Sequence, residues 1–474
     1  MMIIAYFIGV FILGCTFFLM RRRYAQHITA GLLILLQWSF TAYELYRMNF
    51  TGFDFFTPDE LGVLFLVILS LLMLPAYYHS FLYLEKNNEQ MRVRNIYLAM
   101  LTFFCGAMSG VYLSNHVGMT WIFIELTTVS SCMLIYHHRS VESLEATWKY
   151  IFVCSVSVAL SFIGVLFLSI AVTRAGLEDF TYSVLIESAS GLDPFWLKIG
   201  FLFLFSGYTV KAGLFPMFTA GVDAKDQAPT PAAALLATCL CNGGFVAIFR
   251  VFRIIHNNEG GAWAQKVILV SAVLSVAISA YYMVRTKGYK RLLAYSGVEH
   301  IGLAAIGLAM GGPGFFAALL HVVLHSFVKA ALFFQFGQVS YIFKTVNRNE
   351  AGNYFRINVW GGLALLIGFF CITAMPPSGM FVSESLIFLS MIDQRHLPLM
   401  IVVMLLLTII IWSLGRSIFG LLFTPKKSEY PPVKRLPLAE SVSQYVLLAL
   451  VIWLGIYPPD FFVRFLTGIV SQLT

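Results

Sequence analysis

Fourteen apolar runs, most of them about 20 residues long, alternate with short polar segments along the chain. Their cores lie near 2–20, 28–46, 61–84, 96–114, 118–136, 149–172, 194–217, 230–254, 264–284, 292–311, 314–342, 357–391, 397–422 and 442–468. About 20 apolar residues wound at helical rise cross the hydrocarbon core of a bilayer, whereas a membrane barrel needs alternating segments of about 10. The pattern predicts an all-α polytopic membrane protein with 14 transmembrane helices as a single domain over residues 1–474.

Two of the runs carry helix breakers. In the twelfth, Met375-Pro376-Pro377-Ser378-Gly379 removes two successive amide donors, and a helix cannot run straight through it. In the seventh, Gly207, Gly213 and Pro216 flank Lys211, and a polar stretch from Asp223 to Pro231 follows. Broken backbone at membrane depth is tolerated where it is buried or lines a cavity, and a pair of broken helices in two halves of a chain points to an ion path.

Composition agrees with the pattern. Of 474 residues, 59% are hydrophobic and 11% charged, against about 25% charged in a soluble domain. The net charge of +8 fits cytoplasmic loops better than nucleic acid, which is not an expected partner. With the N-terminus outside, 20 of the 31 Lys and Arg fall on inside loops, eight on outside segments, and Lys211, Lys329 and Arg416 within runs. That bias supports both ends outside. The first run leads straight into Arg21, Arg22 and Arg23, as an uncleaved first helix would. The longest polar connections, Arg174 to Asp193 and Thr424 to Glu440, are too short to hold an active site of their own. Seven cysteines, none in a CxxC pair, read as small packing residues rather than metal ligands.

Charges inside the runs carry the chemistry, because each costs roughly 2.5–3.5 kcal/mol to insert. Glu125 in the fifth run and Lys211 in the seventh invite pairing, either as a fixed ion pair or as a switch in which Lys211 releases its proton when Glu125 moves away. His321, His325 and Lys329 recur every fourth residue, so they share one helix face with a drift of about 80° over a rise of about 12 Å. They read as backbone-bonded core residues or as a proton relay, since imidazole carries protons on either nitrogen near neutrality. Histidines one turn apart on one helix cannot ligate opposite faces of one haem, and no third ligand is evident for a metal. Glu384, just past the Pro376-Pro377 break, is a helix-start carboxylate or a last site before the aqueous exit. Glu299 and His300 are expected to open the tenth run near the inner surface. Glu142, Glu145 and Lys149 have the spacing of a solvated helix start, with a subunit contact as the alternative. No nucleophile triad, phosphate loop or dinucleotide glycine pattern occurs, and no cofactor is expected.

The residues also carry a resemblance. WIFIEL around Glu125, VKAGLFP around Lys211, QAPTPAAALL, KRLLAYSGVEHIG and ALLHVVLHSFVKAALFF resemble the antiporter-like membrane subunits of respiratory complex I, Mrp-type cation/proton antiporters and energy-converting membrane hydrogenases, over about residues 96–425. LEATWKY, GVEHIG, FVSES and CNGGFVAIFR resemble the hydrogenase branch, including formate hydrogenlyase-type complexes. The resemblance implies fourteen core helices with inverted five-helix repeats at about 96–254 and 264–422, containing the broken helices 7 and 12. It implies proton transfer at Glu125, Lys211, His321, His325, Lys329 and Glu384; Glu142, Glu145, Asn242, Glu299 and His300 are read beside them as accessory positions. The chain departs from the family where Phe218 and Lys225 replace two histidines and Ala220 a tryptophan. Asn242 stands where many members hold a titratable residue, so a link from Lys211 to His321 must use water or other groups. The implied function is a proton-translocating subunit of a membrane-bound redox complex, hydrogenase-like, in the inner (plasma) membrane, with other membrane subunits as partners and sodium as the alternative ion. A non-pumping membrane anchor and a stand-alone cation/proton antiporter are the rival readings.

Overall fold

A computed structural model describes residues 2–48, 55–425 and 436–473. The four basic residues Lys426, Lys427, Lys434 and Arg435, counted above on an inside loop, lie outside the described residues. Contacts divide the chain into two units, residues 1–232 with 239–264, and residues 265–472 with 233–238. The first holds α1 (Met2–Leu19), α2 (Arg23–Arg47), α3 (Glu60–Lys86), α4 (Met91–Leu113), α5 (Val117–Ile135), α6 (Val141–Arg174), α7 (Tyr182–Glu187), α8 (Pro194–Ala212) and α9 (Thr219–Gln227). After α10 (Thr230–Ala237), which straddles the division, α11 (Cys239–His256) returns to it. Then follow α12 (Gly261–Arg285), α13 (Tyr289–Met310), α14 (Pro313–Phe343), α15 (Tyr354–Ile357), α16 (Val359–Ile372), α17 (Gly379–Asp393), α18 (Leu397–Phe423), α19 (Val442–Ile456) and α20 (Asp460–Ser471). No strand occurs among the described residues.

The described chain holds 12 helices long and apolar enough to cross a membrane. It is an all-α, multi-pass membrane protein. The two remaining runs, 194–217 and 357–391, are the ones with breakers. The first is helical only to Ala212. Gly213 then takes φ +84°, a left-handed conformation that glycine adopts without the cost a Cβ imposes. The Phe215–Pro216 peptide that follows is cis. The second run divides into α16 and α17 around 373–378, which contains the cis Pro376–Pro377 peptide. Ser378 restarts the helix as an N-cap, its hydroxyl accepting from the Met380 amide at 3.0 Å.

Three other runs differ from the sequence reading. The run at 442–468 is two helices, α19 and α20, because Pro458 and Pro459 between them withdraw two donors. The run at 230–254 is interrupted at Thr238, between α10 and α11. The sixth helix extends beyond its apolar run back to Val141, through the helix start that the spacing of Glu142, Glu145 and Lys149 indicated. Ser140 caps it by accepting from the Ser143 amide at 3.1 Å.

In the first unit α6 lies along α8 on a seam of small residues. Ser157 Oγ donates to the Gly207 carbonyl at 3.0 Å, and a Cβ on Gly207 would stand 2.0 Å from Ser161 Oγ. Lipid tails give no hydrophobic drive between membrane helices, so close backbone approach at small residues supplies the packing. In the second unit α14 is the central helix, packed against α13, α16, α17 and α19. Its residues are almost all buried from Gly314 to Gln338.

Candidate functional site

The α6–α8 seam sets the first cluster. It places Tyr150 and Cys154 of α6 beside the last turn of α8, where Lys211 is 2% exposed. The Lys211 ammonium donates to Thr128 Oγ1 of α5 at 2.8 Å and to Tyr150 Oη at 3.0 Å, with Cys154 Sγ at 3.6 Å. It also lies 5.0 Å from the Tyr150 ring centre, within cation–π range. Glu125 does not close directly on Lys211. Thr128 stands between them, its hydroxyl 3.3 Å from Glu125 Oε2. The hydroxyl accepts from Lys211 and can donate to Glu125, so the two charges are coupled through one rotatable O–H. Glu125 is half-buried, on a stretch of α5 that exposes Ile122, Leu126 and Val129.

Past the break, Lys225 of α9 is 3% exposed, and its ammonium lies 3.2 Å from Cys241 Sγ of α11. The loop tally counted Lys225 on a polar connection; it is instead a buried titratable group. Arg94 is likewise fully buried within α4. Asn242 of α11 is buried as well. Glu142, Glu145 and Lys149 sit on the exposed start of α6, where Lys149 and Glu145 pair at 2.6 Å with both side chains more than half exposed. Surface pairs of this kind contribute little.

The second cluster is built by α13, α14 and α17. Glu299 and His300 are not at the inner surface. Helix α13 begins at Tyr289, which carries both to its middle, and packing against α14 buries them to 2% and 1% exposure. His321, His325 and Lys329 of α14 are buried together. His300 Nδ1 is 3.2 Å from His321 Nε2, and His321 Nδ1 is 3.0 Å from Ser383 Oγ of α17. The His325 ring centre lies 5.0 Å from that of His300. Glu384 Oε1 stands 3.9 Å from His300 Nδ1, with its side chain 13% exposed. Lys329 donates to the Leu293 carbonyl of α13. It passes beside Gly297, where a Cβ would lie 3.9 Å from Lys329 Cε.

The sequence placed His321, His325 and Lys329 on one face. It did not show that His300 faces them from α13, nor that Ser383 bonds His321. GVEHIG carried the first signal, since an ionisable pair in an apolar run is costly at either depth. Ser383, Thr128, Tyr150 and Cys154 carried none, because such residues are ordinary in membrane helices.

Residues 114–410 match the model of the family described as NADH:quinone oxidoreductase/Mrp antiporter, TM. The chain belongs to this family. It is 31% identical over 342 residues to the Hydrogenase-4 component F homolog of Methylacidiphilum infernorum (isolate V4), which covers 70% of this chain and 72% of that protein. It is 25% identical over 339 residues to Hydrogenase-4 component B of Escherichia coli (strain K12), covering 69% of this chain and 49% of that one, about half its length. A chain of the membrane-bound sulfane sulfur reductase, an archaeal respiratory membrane complex, has the same fold, with a TM-score of 0.84 over 100% of this chain and 96% of that one at 20% identity. As a family member the protein is an antiporter-like membrane subunit.

Proposed function

We propose that the protein is a proton-translocating subunit of a hydrogenase-like membrane redox complex in the inner (plasma) membrane, held there by other membrane subunits. The observation that carries this reading is the second cluster: imidazoles from two helices, His300 hydrogen-bonded to His321, with two carboxylates within 4 Å of His300. Such a set is costly in an apolar interior. A set with no task would be replaced by apolar residues of similar volume at little loss.

Each half of the chain contributes a proton-handling group beside a helix break. Glu125, Thr128 and Lys211 form the first, where a rotating hydroxyl couples the two charges. Glu299, His300, His321, His325, Lys329 and Glu384 form the second, with Glu384 toward water. These halves correspond to the inverted repeats at 96–254 and 264–422. Relatives named as hydrogenase components support the hydrogenase-like partner. Moving one charge against 100 mV takes about 2.3 kcal/mol, which redox turnover in partner subunits supplies.

The test uses the complete complex in inverted vesicles. Lys211→Met and Glu125→Gln are expected to reduce redox-driven proton uptake to the uncoupled background, with the complex still assembled on native gels. Full proton uptake by both variants would remove the proposal.

A further inference from the structure

We propose that His300, His321 and Glu384 form a binding site for a divalent transition-metal ion of the zinc class. Their donor atoms, one from each residue, all lie within 4.8 Å of one another. A tetrahedral zinc ion with bonds of about 2.0–2.1 Å holds its ligands about 3.3 Å apart. His300 Nδ1 and His321 Nε2 are already 3.2 Å apart, and Glu384 Oε1 is 3.9 Å from His300 Nδ1. The histidine pair is already at zinc spacing, and drawing in the Glu384 carboxylate, with all three donor atoms within 4.8 Å of one another, completes three corners of the tetrahedron.

The surroundings suit the same ion. A ligating imidazole is normally oriented by a partner on its other ring nitrogen. His321 Nδ1 has Ser383 Oγ at 3.0 Å, and His300 Nε2 has Glu299 Oε2 at 3.3 Å. Neither Glu299 Oε2 nor His300 Nε2 makes a hydrogen bond among the described residues, so that pair is free to tighten when the opposite nitrogen takes a metal. Two carboxylates, Glu384 and Glu299, balance a double positive charge. Two imidazoles and one carboxylate match borderline ions, whereas sodium, calcium and magnesium favour oxygen cages. The histidines are buried and the Glu384 side chain is 13% exposed, so entry and the fourth coordination position lie on the Glu384 side. On the proton-relay reading above, an ion held here occupies the lone pairs that would pass protons and stops transport.

The test measures Zn²⁺ alone on the complete purified complex, after His138, exposed in the turn that follows α5, is changed to Gln to remove surface binding. Bound zinc after desalting is expected at one tight equivalent per chain, with an X-ray absorption spectrum showing two imidazoles and oxygen. Glu384→Gln keeps the side chain's shape and is expected to weaken binding by tenfold or more. Ser383→Ala, which touches no ligand atom of the ion, is expected to weaken it by about tenfold through His321. Unchanged affinity in both variants, or a spectrum without imidazole, overturns the site. Zinc bound as expected while proton uptake continues keeps the site and counts against the relay. Absent zinc binding together with lost transport in Lys211→Met keeps the relay and removes the site.

Discussion

At the level of single residues, the first cluster depends on a side chain that hydropathy cannot distinguish from its neighbours. Thr128 receives the Lys211 ammonium and faces Glu125. Thr128→Val keeps the branched shape and removes the bridge. A hydrogen bond to a charged group contributes about 1.5–3 kcal/mol. The variant is therefore expected to lower the thermal midpoint of the detergent-solubilised complex modestly and to slow proton uptake without abolishing redox turnover. Lys225 offers a second test. Its burial against Cys241 places a titratable group inside the first unit that no hydropathy argument singled out. Lys225→Met is expected to reduce proton uptake while assembly is retained; uptake equal to the parent would show that Lys225 serves packing only. Lys211 and Glu125 were legible from the sequence because their cost inside an apolar run is large. Their indirect coupling was not: spacing puts Thr128 one turn from Glu125 on α5, but only packing decides that Lys211 of α8 reaches Thr128 rather than Glu125.

Among elements, the breaks were legible and their ends were not. Two consecutive prolines at 376–377, and glycines with Pro216 after Lys211, marked interruption by removing donors and relaxing the backbone. Gly213 is the residue at which α8 stops, at φ +84°. Gly213→Ala is expected to cost roughly 1–2 kcal/mol and to move Lys211, seen as a lower unfolding midpoint together with lost proton uptake. Gly244 on α11 sits against the same helix end: a Cβ there would lie 2.1 Å from the Ala212 amide nitrogen. Gly244→Val is expected to destabilise by about 1–3 kcal/mol through overpacking, and its signature is reduced assembly rather than selective loss of transport. The division of the last run at Pro458-Pro459 used the same proline rule. The sequence reading passed over it because apolar residues continue on both sides. The Thr238 interruption has no proline or glycine to announce it.

For the whole molecule, the bias of Lys and Arg between loops predicts a chain with its N-terminus outside. In a background without its own seven cysteines, a single cysteine at Glu178, between α6 and α7, is expected to react with an impermeant maleimide from the outer face. One at Lys287, between α12 and α13, is expected to react only from the inner face. The reverse result would invert the direction of every step proposed above. Burial of Arg94, Lys225 and Lys290, counted inside, and of Arg250 and Arg253, counted outside, shows that five of the cations in the tally are not loop charges, yet Arg21 to Arg23, Arg285 and Lys287 still weight one side.

The amino-acid sequence by itself determined that this is a helical membrane protein and where its long apolar helices run, because the length of an apolar run and the cost of charge within it are local properties. It also determined that His321, His325 and Lys329 share a face, since helical periodicity alone fixes that. Tertiary structure decided what stands opposite them: His300 from the middle of α13, and Ser383 with Glu384 from the helix restarted after the proline break. Those neighbours come from segments 21 and 62 positions away from His321. Only the packing of three helices against one another brings their donor atoms within bonding distance.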